Sequence, residues 1–280
     1  MENADKYPEK VRDILYKDIF QREENDPVRI AYELAAKLHE GQTRKGILQH
    51  EYITHPLQVY DMVKKCIGDD DVPDKDVTLA AALLHDAVED YGKDDHNKSE
   101  EEKRAAAIYM IEDGFTDLAR NHRFTNLEFA EKLIDLLIVL SLPTKGLSDE
   151  EKRSHQVAVA KTASANAKLI KICDQTLNIT SNTEEVPNWD YLRLMKYTNK
   201  ATAVANSAFR STKKSDPYYK AINIANAVYT HISDETLEIY KRRKSEGKSF
   251  PPEAPVRIFD IEELINVAQT SIDKPKSQVR

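Results

Sequence analysis

An all-α bundle is the fold class this sequence predicts, and three observations predict it. Apolar residues recur at helical spacing, sustained two-residue alternation is scarce, and the 280-residue chain holds only seven glycines with which to turn strands. The expected arrangement is an N-terminal segment over 1–25, a helical hydrolase-type domain over 26–211 and a C-terminal helical extension over 212–280.

The elements follow in chain order. Asp26 before Pro27 reads as an N-cap with proline at the first helical position, and Ile30, Leu34 and Leu38 mark one face of a helix that Gly41 closes. Residues 42–54 are polar and read as a loop. At His55-Pro56 the proline disfavours helical conformation in the residue before it, so a helix is expected to start there, with His55 at the junction, and to stop at Gly68. Residues 76–90 are apolar and alanine-rich, which predicts one helix buried around most of its circumference. Capping boxes at Ser99/Glu102 and Ser148/Glu151 start two further helices. Others are expected at about 126–141, 167–180, 189–211 and 217–245, and a short one near 260–272 after Pro251, Pro252 and Pro255.

Composition narrows the function classes. Hydrophobic residues make up 40% and charged residues 32% of the chain, the balance of a packed globular protein. A formal charge of −7 argues against a broad nucleic-acid surface, which needs clustered Lys and Arg. The apolar runs fall short of the roughly 20 residues a membrane-spanning helix requires, and the charged N-terminus has no signal-peptide pattern. A cytoplasmic protein without nucleic-acid or membrane partners is expected. Cys66 and Cys173 form no CxxC pair and read as buried thiols.

Chemistry concentrates where the apolar helices carry charge. His85 and Asp86 are adjacent potential metal ligands inside an apolar run, where an uncompensated carboxylate is costly. On a continuous helix Glu89 and Asp90 lie one turn beyond them, near His85 and Asp86 respectively. A second apolar helix holds Asp174 among Leu169, Ile170, Ile172, Cys173 and Leu177, with Asn178 one turn on. Imidazoles and carboxylates without cysteine suit a borderline divalent ion such as manganese or iron. The competing reading is an exposed helix end with solvated polar residues. His39, one turn from Ala35, reads as a hydrogen-bonded packing residue.

The stretches GQTRKGILQHEYITHP, AALLHDAVED and KLIKICDQTLNI, with Pro187, Trp189, Arg193 and Tyr197 in a PxWxxxRxxxY pattern, resemble the hydrolase domain of the RelA/SpoT family. The likeness is greatest to its single-domain relatives, the small alarmone hydrolases of metazoan type. It implies an HD-domain helical fold with His55, His85, Asp86 and Asp174 holding Mn²⁺. It also implies Glu89 and Asp90 as the pair that activates water, and Arg44, Lys45, Asn178, Arg193 and Tyr197 as the residues around a small nucleotide. The family has a basic residue directly after the last metal-binding Asp, whereas this chain has Gln175. Residues 212–280 are too few for an alarmone synthetase domain, so a hydrolase alone is expected. The implied reaction removes the 3′-pyrophosphate of ppGpp or a related alarmone. The alternatives are removal of the 2′-phosphate of NADPH at the same site and a nucleotide-sensing module without turnover. Oligomeric state is left open.

Overall fold

The computed structural model describes residues 7–44, 49–91, 97–120, 127–141, 147–184, 189–247 and 259–273. These residues form α-helices, a 3-10 turn and one isolated antiparallel bridge between Thr43 and Glu51, so the all-α expectation holds. No helix among them is long and apolar enough to cross a membrane. The chain divides into two compact units, one of Met1–Arg44, His50–Asp61 and Pro73–Lys152, the other of Lys45–Gln49, Met62–Val72 and Arg153–Arg280.

The first unit opens with α1 (Glu9–Lys17) and a 3-10 turn (Ile19–Gln21), within the N-terminal segment for which the sequence predicts no element. Val11, Leu15 and Ile19 are fully buried at four-residue spacing, so a short amphipathic stripe holds this segment to the core. In α2 (Pro27–Leu38) the Asp26 carboxylate accepts from the N–H groups of Val28 and Arg29, as the capping pattern predicts. Gly41, at φ 75°, supplies the left-handed turn after the helix.

The expected helix over 76–90 is a correction. α4 (Lys75–Leu84) is buried on every residue from Val77 to Leu84, then stops, and a separate turn α5 (Ala87–Asp90) follows. The break falls at His85-Asp86. There the His85 ring donates Nδ1–H to the Ala82 carbonyl at 2.8 Å, giving that acceptor a side-chain donor where the helix is interrupted.

Helices α6 (Glu100–Arg120) and α7 (Leu127–Leu140) complete the packing, with α6 against α2 and α7 and α4 against both α2 and α7. The single Asp-Gly pair, Asp113-Gly114, sits inside α6 rather than at a turn. A Cβ at Gly114 would come within 2.7 Å of the Leu34 side chain, so glycine there lets α6 lie close to α2. Both capping boxes form: Ser99 with Glu102 at 2.7 and 3.2 Å, and Ser148 with Glu151 at 2.7 and 3.3 Å.

The helix α3 (Thr54–Ile67) contributes residues to both units. It begins at Thr54, so His55 lies in its first turn rather than ahead of it. Pro56 is tolerated because first-turn N–H groups have no helical acceptor.

In the second unit α9 (Ala165–Glu184) is central, with Leu169, Ile170, Ile172, Cys173 and Ile179 fully buried. Each such aliphatic side chain contributes roughly 1.5–3 kcal/mol on burial. α10 (Tyr191–Arg210) and α11 (Tyr219–Ser245) pack against α9 and each other, and α12 (Ile261–Asp273) lies on α11. Gln269 on α12 also donates to the Lys65 carbonyl at 3.1 Å, while α8 (Asp149–Thr162) runs from one unit into the other. Cys66 and Cys173 are free and buried, as expected, and burial beside Cys66 pushes the Cys173 thiol well up.

Candidate metal centre

Three of the expected ligands converge. His55 from the first turn of α3, and His85 and Asp86 from the break between α4 and α5, each direct one ligating atom to within 4.8 Å of the others. The imidazoles are 1% and 5% exposed, and their ring centroids lie 5.4 Å apart. His85 Nε2 stands 3.3 Å from Asp86 Oδ1, and His55 Nε2 stands 3.7 Å from Asp86 Oδ2. Both separations exceed a good hydrogen bond and suit donors grouped around one shared ion.

The chemistry of this donor set fits a divalent cation. With its Nδ1–H committed to the Ala82 carbonyl, His85 presents the Nε2 lone pair, the tautomer a metal requires. Two buried imidazoles and one carboxylate without sulfur suit a borderline or harder ion.

Tyr52 is the residue sequence reasoning missed. Its hydroxyl donates to Asp86 Oδ2 at 2.8 Å, which fixes the carboxylate facing both imidazoles. The Tyr52 ring stacks on His39 with centroids 4.7 Å apart, meets His55 edge-on at 6.3 Å and lies under the Arg44 guanidinium at 5.4 Å. His39 is buried and its Nδ1 pairs with Gln42 Oε1 at 2.9 Å, the packing role expected of it. A bridge positions Tyr52 within the expected loop over 42–54: Arg44 N–H donates to the His50 carbonyl at 2.8 Å and Tyr52 N–H to the Gln42 carbonyl at 2.9 Å. An aromatic three residues before His55 was the available signal, but a single bridge carries no periodicity to detect.

The remaining site residues fall differently. The interruption at His85-Asp86 removes the continuous-helix spacing argument for Glu89 and Asp90. Glu89 is exposed on α5, the Asp90 side chain lies outside the described residues, and so does Lys45.

Asp174, Asn178, Arg193 and Tyr197 belong to the second unit. Asp174 is half-buried on α9, and its carboxylate accepts from Gln175 Nε2 at 2.7 Å and from Asn178 Nδ2 at 2.5 Å. Gln175 thus contacts Asp174 through an amide, where the resemblance implies a basic residue. At the start of α10, Asp190 caps the helix by accepting from Arg193 N–H at 2.8 Å. The Arg193 guanidinium lies 4.5 Å from the Trp189 ring, and Tyr197 packs on the same indole at 5.3 Å.

Comparison with known proteins bears on this geometry. The HD-domain family pattern matches residues 31–191, more than half the chain and inclusive of all four expected metal ligands. The human guanosine-3′,5′-bis(diphosphate) 3′-pyrophosphohydrolase MESH1 is 28% identical over 168 residues, covering 60% of this chain and 76% of its own length. The mouse protein of the same name gives the same figures. A solved structure, described as a metazoan ortholog of SpoT that hydrolyses ppGpp, aligns with a TM-score of 0.50 at 24% identity. It covers 76% of this chain and 94% of that one, and supports the helical fold.

Proposed function

This chain belongs to the HD-domain family, and on that premise we propose that it is a manganese-dependent phosphohydrolase acting on an alarmone. The reaction removes the 3′-pyrophosphate of ppGpp, or of a relative such as ppApp, and leaves a nucleoside 5′-diphosphate. The observation that carries this reading is the convergence of His55, His85 and Asp86, with Tyr52 holding the carboxylate, in a chain similar to MESH1.

His55, His85 and Asp86 would hold the ion, and the resemblance adds Asp174 as a further ligand. A bound divalent ion would polarise a phosphoryl oxygen and make water more acidic. Tyr52 keeps Asp86 in place, and the Ala82 carbonyl keeps His85 in its ligating tautomer. Glu89 serves as general base: water oxygen adds to the 3′ phosphorus as its proton passes to Glu89, the P–O3′ bond breaks, and the ribose 3′ oxygen takes up that proton to leave as a hydroxyl, with Asp90 in support. Lys45 and Arg193 offset charge on the departing pyrophosphate, while Arg44 and Tyr197 stack against the purine and Asn178 donates to the nucleotide.

The test is incubation of the full chain with Mn²⁺ and, in parallel, ppGpp, ppApp and NADPH. Pyrophosphate together with the nucleoside diphosphate is expected from an alarmone. Phosphate from NADPH with no pyrophosphate from either alarmone overturns the reading in favour of a 2′-phosphatase. Tight nucleotide binding without product at any metal concentration makes the protein a sensing module. Repeating the assay with Mg²⁺ and Zn²⁺ checks the choice of metal.

A further inference from the structure

Within the second unit, α8 and α10 bound a groove of about 450 Å³ that shares no residue with the candidate metal centre or the proposed nucleotide residues. The sequence accounts for its shape. Ala203, Ser207 and the C-cap Ser211 follow one another at four-residue spacing along α10, so one row of the face toward the groove carries small side chains and leaves space. Val157 and Lys161 stand one turn apart on α8, and Ser207 Oγ donates to the Val157 carbonyl at 2.8 Å, fastening the two helices at the floor. Lys161, Asn206 and Arg210 complete the lining.

Lys161 and Arg210 lie in the last turns of their helices, where cations commonly offset exposed carbonyls. On α10 most of those carbonyls have other donors. The Ser207 and Ala208 carbonyls accept from Ser211 Oγ at 2.8 and 3.0 Å, and Ala208 also accepts from Thr212 Oγ1 at 2.9 Å. The Ser211 carbonyl accepts from Lys168 Nζ at 3.1 Å, and the Phe209 carbonyl from Thr212 N–H at 3.0 Å. On α8, Thr162 Oγ1 covers the Ala158 and Val159 carbonyls at 3.3 and 3.4 Å. Among the described residues, Lys161, Asn206 and Arg210 make no side-chain hydrogen bond or ion pair. Two unengaged cations and an unengaged amide thus ring an apolar floor in a chain of net charge −7.

We propose that this groove binds a small phosphate-bearing molecule. Its phosphate sits between Lys161 and the Arg210 guanidinium, whose forked N–H groups match phosphate oxygens, and the Asn206 amide donates a further hydrogen bond. Carbon-rich parts of the ligand rest on Val157 and Ala203. The volume falls in the range of small-molecule sites.

The test is calorimetric titration of the full chain with inorganic phosphate, pyrophosphate and GDP, at about 0.15 M salt to screen diffuse attraction. The Asp86→Ala background in EDTA removes metal-dependent binding. At least one probe is expected to bind saturably. Lys161→Ala with Arg210→Ala is expected to weaken that binding by at least about tenfold, while Lys161→Arg with Arg210→Lys retains it. Both cations are exposed, so circular dichroism of the double variant should match the parent. Ala203→Leu fills the floor and separates the ligand types: loss of GDP alone identifies a nucleotide, whereas similar retention of phosphate and pyrophosphate identifies a free phosphate site. Absence of saturable binding by all three probes, or binding unaltered in the double alanine variant, overturns the proposal.

Discussion

His55 and His85 are 1% and 5% exposed and the Ala82 carbonyl fixes the tautomer of His85, whereas Arg193 is exposed and held by stacking on Trp189. Both regions place charge beside aromatic rings, but to different ends. In the first, Tyr52 reaches a buried-edge carboxylate with a directed 2.8 Å hydrogen bond, so a small displacement would scatter the ligands. In the second, the Trp189, Arg193 and Tyr197 stack tolerates adjustment, as ring faces do. The difference teaches where rate and where recognition should reside: loss in the buried cluster should strike turnover, and loss in the exposed stack should strike affinity.

The largest expected effect comes from Asp86→Ala, which removes the carboxylate from the cluster it forms with His55 and His85. Bound manganese and pyrophosphate release should both fall to background, measured by elemental analysis and product assay on the same sample. Retained activity without the carboxylate would break the assignment of the cluster.

Tyr52→Phe follows in size. It keeps the ring against His39 and removes only the hydroxyl that orients Asp86. Losses of outer-shell partners of this kind run to about 10–100-fold in metal affinity or activity. The informative readout is the manganese concentration for half-maximal rate, which should rise, with activity partly restored at high metal. A fall in rate that excess manganese leaves untouched would mean Tyr52 acts on something other than the carboxylate.

Arg193→Ala tests the other side of the comparison. KM for the nucleotide should rise by about tenfold, while the metal concentration for half-maximal rate stays put. If kcat falls instead and KM holds, the exposed stack belongs with the chemistry and the contrast between the regions is wrong.

Much of this was legible because helices announce themselves locally. Asp26-Pro27, Ser99/Glu102 and Ser148/Glu151 are contacts between near neighbours, and each forms as read. His55, His85 and Asp86 were legible as polar groups in apolar surroundings, and the structure brings these three together. What escaped depended on non-local contacts or on local exceptions. Tyr52 gains its role from Asp86, 34 residues away, and from a one-residue bridge too short to leave a pattern. The stop after Leu84 hides in a sequence with uniform helical character, because the His85 side chain rather than any breaker residue attends it. Gln175 stands where the resemblance implies a basic residue, and that its amide reaches Asp174 at 2.7 Å depends on side-chain placement that no sequence pattern carries.

The smallest expected effect, and the control on the others, is Tyr60→Phe. Tyr60 is fully buried in the same unit as Tyr52, but its hydroxyl donates to Asp18 Oδ2 at 2.5 Å in a cluster with Arg22. Losing that bond should cost about 1–2 kcal/mol of folding stability while leaving manganese dependence at its parent value. Burial, then the bond to Asp18, holds the Tyr60 phenol protonated beyond its usual range. A folded-state pKa raised in this way adds stability that is fully present below about pH 10, the ordinary tyrosine value, and is lost as pH climbs toward the folded-state value. Parent and variant denaturation curves should therefore differ by a constant amount at neutral pH and converge in alkali. A shift in manganese dependence for Tyr60→Phe equal to that for Tyr52→Phe would show that both substitutions merely loosen the first unit, and the special place given to Tyr52 would fall.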